Sequence, residues 1–165
     1  IVAIARQMKP TLAHGRAVYF RQMLVYFQTI VEVMLEEFLV SVFEQHPERM
    51  HDYLVSGPQK TKGFVNLKQI VDAETRERLI SDLASEAARE LVGGRFETAL
   101  SSVQKVALLK FDEQLVKDLI ALAKERNRIV HENPDLTVTR EQVFECLNVV
   151  IGLSAALRPS ASASQ

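Results

Sequence analysis

The chain has 165 residues, 47% hydrophobic and 25% charged, with one Cys, no Trp and a net charge of −1. That length holds one domain able to bury most of the surface an unfolded chain exposes. The near-zero charge excludes nonspecific wrapping of long duplexes, and the lone Cys146 excludes a disulfide framework and fits a reducing, cytoplasmic compartment.

Abundant Leu, Val, Glu and Ala with little Gly and Pro favour helices. An all-α, up-and-down helical bundle is therefore expected over residues 1–158, with one long core helix and short accessory helices. His14, His46, His51 and His131 are scattered and, with one cysteine, offer no zinc spacing, so no metal and no cofactor is implied. No apolar run is long enough to span a bilayer, because Arg21, Gln28, Glu32 and Glu36 interrupt the most hydrophobic region. Ile1 in place of an initiator Met suggests a piece of a longer protein.

In chain order, residues 2–9 read as a short helix stopped by Pro10. The dominant helix follows over 12–45. Phe20, Leu24, Phe27, Val31, Met34, Phe38 and Val42 recur every three or four residues, the spacing of one helical face. Met23, Ile30, Leu35 and Leu39 widen that stripe, so this helix is expected to be nearly surrounded by protein. His46-Pro47 ends it, since the residue before a proline is pushed out of the α region.

A short helix over 48–55 precedes a basic loop, Ser56 to Gly63, carrying Lys60 and Lys62. Phe64 to Val71 reads as a helical turn. Asp72 is the expected cap of a helix over 73–92 that Gly93-Gly94 ends. A less regular helix covers 96–109. Asp112 caps the next one, whose stripe is Leu115, Leu119, Leu122 and Ile129. Pro134 forces Asn133 out of helical geometry. Thr139 with Gln142 makes a capping-box pattern for a final helix over 140–157. Cys146 on it reads as packing. Residues 159–165 are expected to be a disordered tail.

The most informative stretch is Glu125-Arg126-Asn127-Arg128-Ile129-Val130-His131-Glu132. It sets two cations that never deprotonate beside the one side chain that titrates near neutrality, which suits chemistry on a phosphodiester. Arg126 follows Leu122 by four residues on the apolar stripe, where a merely solvated helix has no use for a guanidinium. On an ideal helix His131 points about 140° away from Arg126. Either the last turn unwinds, or the site is shared between two protomers. Asn127 and His131, four apart, face the same way, so the amide is placed to orient the ring. The plainer reading is a solvated helix end, where the dipole alone favours a histidine.

Arg126-Asn127-Arg128-Ile129-Val130-His131 resembles the motif of the HEPN superfamily, an arginine followed after four to six residues by a histidine. Leu35-Glu36-Glu37-Phe38-Leu39 with His46-Pro47-Glu48 is similar to that family's first long helix, and Thr139 to Leu157 to its closing helix. The likeness covers most of residues 18–157, though only the short motif is specific. It implies a metal-independent endoribonuclease that acts on single-stranded RNA as a homodimer, most plausibly a toxin or defence effector, with an antitoxin or regulatory protein as a further partner.

Carried over, His131 moves protons while the 2′-hydroxyl attacks phosphorus, and Arg126 stabilises charge on the nonbridging oxygens. Asn127, Arg128 and Glu36 are supporting residues. Lys124 and Lys117 are candidate RNA contacts, with a solvated face as their plainer reading. The chain departs from the HepT toxin branch, whose motif continues His-x-Tyr, because Asn133 stands at the tyrosine's position. Two readings remain beside the enzyme: a non-catalytic HEPN-like module that dimerises or binds RNA or protein, and a purely structural helical part of a larger protein.

Overall fold

A computed structural model describes the backbone of residues 2–56 and 75–158 and the side chains of residues 14–55 and 75–158. The described residues form an all-α helical bundle: α1 (Val2–Gln45), α2 (Pro47–Ser56), α3 (Arg76–Val92), α4 (Phe96–Ala107), α5 (Glu113–Asn127), a π-turn (Arg128–Glu132) and α6 (Arg140–Ala156). Among them no helix is long and apolar enough to cross a membrane. The expected basic loop, the turn at 64–71 and the tail at 159–165 lie outside the described residues.

The first helix differs from expectation at its start, for α1 runs through Pro10 without a break. An internal proline removes one backbone hydrogen bond and crowds the preceding turn, a cost of about 3 kcal/mol. A helix of 44 residues keeps enough other rungs to absorb that loss. The far end falls where Pro47 dictates. The His46 amide still bonds Val42 O at 2.8 Å, and Pro47 then opens α2 at a position whose N–H has no helical partner anyway.

On α1 the buried row is Leu24, Phe27, Gln28, Val31, Leu35, Leu39 and Phe43. Phe20, Met34, Phe38 and Val42 are only half-buried. Nor is the helix surrounded by protein: Tyr19, Gln22, Tyr26, Thr29 and Val33 form an exposed row. Of the residues that widen the stripe in the sequence, Leu35 and Leu39 are buried and Met23 and Ile30 half-buried, so the stripe stops short of that row.

The chain divides into two compact units, Ile1–Val31 with Asp112–Gln165, and Glu32–Phe111. In the second, α2 packs on α3 and α4, and α3 on α4. Ala84, Ala87, Ala88 and Leu91 of α3 and Ala99, Leu100 and Val103 of α4 are buried there. The cap of α3 is Thr75 rather than Asp72: its hydroxyl accepts the Arg78 N–H at 3.2 Å. A threonine one residue before the helix satisfies an orphan N–H directly; Asp72 lies outside the described residues.

In the first unit α5 packs on α6. Leu119, Leu122 and Ala123 of α5, Ile129 of the π-turn, Val138 and Leu153 are buried with Leu24, Phe27 and Val31. Each leucine so buried contributes roughly 1.5–3 kcal/mol. Asp112 caps α5 as its sequence position implies, accepting the Gln114 and Leu115 amides. Thr139 and Gln142 complete a reciprocal capping box at the start of α6. These two caps fix both ends of the segment that carries the motif.

Candidate functional site

The motif occupies the end of α5 and the turn after it. α5 stops at Asn127, and Arg128–Glu132 continue as a π-turn, closed by the Asn133 amide on Arg128 O at 2.6 Å. Pro134 is the sequence cause, since it holds Asn133 in an extended geometry (φ −143°, ψ 85°) and the chain must spend its last turn before that point. A π-turn closes its ring over five residues, so each advances through a smaller angle than in an α-helix. The five-residue step from Arg126 to His131 therefore diverges less than the straight-helix geometry requires.

Ile129 anchors this turn in the core, whereas Val130 and His131 face solvent. The Asn133 side chain accepts the Asp135 amide at 3.2 Å, and Arg21 of α1 donates to Leu136 O at 3.5 Å. The loop behind the histidine is thus tied to both sides.

Arg126 is half-buried, and its Nη1 donates to Asn127 Oδ1 at 2.9 Å. In that contact the Asn127 amide oxygen braces the guanidinium. Among the described residues nothing hydrogen-bonds the His131 ring. Arg128 pairs with Glu125, Nη1 to Oε1 at 2.6 Å. Lys117 and Lys124 are exposed on α5. Glu36 belongs to the other compact unit, where it faces Arg89 at 3.5 Å. His46 and His51 lie at the surface beside Glu48 and Asp52.

A concave feature of this unit lies beside the motif and meets that stretch at Glu125. A groove of about 510 Å³ runs along α5 and α6, floored by Leu24, Leu115, Leu122 and Val149. Asp112, Asp118, Glu125 and Glu145 line it, with no Lys, Arg or His. At Gly152 the two helices are in contact range, a Cβ there lying 3.4 Å from Leu115 Cδ1. Cys146 lines the groove too; burial first, then Glu145 and Glu125, push its thiol up to about 11. A thiol so shifted is expected to react slowly near neutral pH, where little of it is thiolate. Among the described residues no three His, Cys, Asp or Glu side chains are arranged to hold a metal ion.

Motif searching finds the basic tip and misses this groove. The signal was present: the sevenfold spacing that aligns Lys117 with Lys124 also aligns Asp118 with Glu125, one residue further on. Leu115 and Leu122 share that period and supply the floor. No known family model, curated protein or solved structure matches the chain.

Proposed function

We propose that this chain is a HEPN-type, metal-independent endoribonuclease acting on single-stranded RNA at a site shared by two copies, in the role of a toxin or defence effector. The observation that carries the reading is the π-turn, which leaves His131 in solvent and narrows its divergence from the half-buried, amide-braced Arg126 five residues before it. In this reaction the RNA 2′-oxygen forms a bond to the adjacent phosphorus while the bond to the 5′-oxygen breaks. The products are a 2′,3′-cyclic phosphate and a 5′-hydroxyl.

One proton must leave the 2′-hydroxyl and one must reach the departing 5′-oxygen, on opposite sides of the phosphorus. One imidazole cannot reach both at once, which is the physical reason for two copies. His131 of each copy serves one of these transfers, and the bracing by Asn127 holds Arg126 ready for the charge on the nonbridging oxygens. Phe144, Leu147 and Ile151 form an exposed apolar row on α6, and such a face is what self-association needs.

The test is the full chain incubated with end-labelled single-stranded RNA in EDTA. Cleavage leaving cyclic phosphate ends, lost in His131→Ala, is the expected result; RNA left intact, or cleaved equally by the variant, removes the enzyme. A second reading, a non-catalytic protein-binding module, is favoured by one observation, the carboxylate-lined groove.

A further inference from the structure

We propose that the groove between α5 and α6 is a docking site for a basic amphipathic helix presented by another protein. This goes beyond the ribonuclease reading and does not rest on it. Shape is the first argument. On α5 the lining residues Gln114, Leu115, Asp118, Ala121, Leu122 and Glu125 recur at helical spacing and span about 16 Å at 1.5 Å per residue. Two helical walls over an apolar floor form the cradle into which a third helix fits, about three turns of it.

Charge is the second argument and selects among occupants. Four carboxylates and no cation line the groove. Nucleic acid is repelled by such a lining. A neutral helix would take the carboxylates out of water with no cation of its own to offset them, and a small polyamine would leave the leucine floor wet. A helix with apolar residues at every third or fourth position, flanked by Lys or Arg, satisfies floor and rim together. Glu145 at the α6 rim and Asp118 at the α5 rim are the contacts expected to select it. Glu125, already held by Arg128, is the weakest of the four for an incoming cation.

The probe is a fluorescein-labelled synthetic helix of about 15 residues, leucines on one face and lysines beside them, titrated with the full chain and followed by anisotropy. Saturable binding that weakens with salt is expected, at least about tenfold weaker in the D118K/E145K variant. Ala121→Trp, which fills the groove at an exposed position without changing charge, is expected to weaken binding comparably. Circular dichroism of both variants guards against unfolding, and either one, if folded, suffices as the test. Equal binding by a folded variant overturns the proposal. So does equal affinity for a glutamate-flanked peptide, or for a lysine peptide lacking leucines. A self-associating chain whose dimer D118K/E145K dissolves would assign the groove to a second copy instead.

Discussion

One helix carries two opposite chemistries. Over Asp112 to Glu125 its flank is a carboxylate-lined groove on a leucine floor; over Arg126 to Glu132 it is an arginine-rich tip ending in an exposed histidine. The boundary is a single ion pair, Glu125 with Arg128. Net charge near zero thus conceals a sharp local separation, and the two stretches suit different partners. A phosphate approaching the tip meets cations, while the same phosphate approaching the groove meets carboxylates.

The largest expected effect separates the stretches directly. On the proposed ribonuclease reading, His131→Ala is expected to lower RNA cleavage by roughly 10²–10⁴-fold, and Arg126→Ala by roughly 10²–10³-fold. Glu145→Gln in the groove leaves the rate within about twofold, as expected of an exposed change remote from any step of the reaction. Single-turnover rates on one RNA check all three. A groove variant as damaging as the histidine variant would erase the distinction between tip and groove.

Stability sharpens the comparison next. Leu119 is wholly buried whereas Leu115, on the groove floor, is half-buried. Leu119→Ala is expected to cost about 2–5 kcal/mol, with Leu115→Ala well below it because its surroundings already open to water. Urea unfolding of both reads the difference. Equal losses would mean that the groove is closed in solution.

Asp112 lines the groove and also caps α5. Asp112→Ala removes cap and charge together, at about 1 kcal/mol. Asp112→Asn keeps the cap, so its stability stays near the parent's while any binding of a basic helix falls. The pair of variants divides the residue's two duties by unfolding and by peptide titration.

Much of this was legible in the sequence, for local reasons. Pro47 and Pro134 fix where helices end because they restrict the residue before them, and Asp112 and Thr139 cap because a short acceptor precedes a periodic run. What was not legible depends on neighbours. The continuation through Pro10 required weighing one lost rung against a whole helix. The pairing of Asn127 with Arg126 was hidden because an i,i+4 rule pointed to His131, while the half-buried guanidinium drew the amide first. The groove was invisible to motif reading because its walls come from α5 and α6 together, and carboxylates on one helix read simply as a solvated face.

Cys146 yields the smallest effect. Its thiol, pushed to about 11 by burial and then by Glu145 and Glu125 against an ordinary 9.0, stays protonated in the folded chain at pH values where the unfolded chain has lost its proton. Unfolding then releases a proton, so stability falls as pH rises from about 9 towards 11 and is unaffected by this group below that window. Cys146→Ser removes that dependence. Alkylation by iodoacetamide at pH 8 is expected to be slow in the native chain and fast in urea, since the thiolate is the reactive form. A basic helix seated in the groove would offset the two glutamates but also cover the thiol, so alkylation at pH 9 is then expected to slow, because burial is the larger cause. A large acceleration on peptide binding would instead mean that the carboxylates, and not burial, govern the groove's interior.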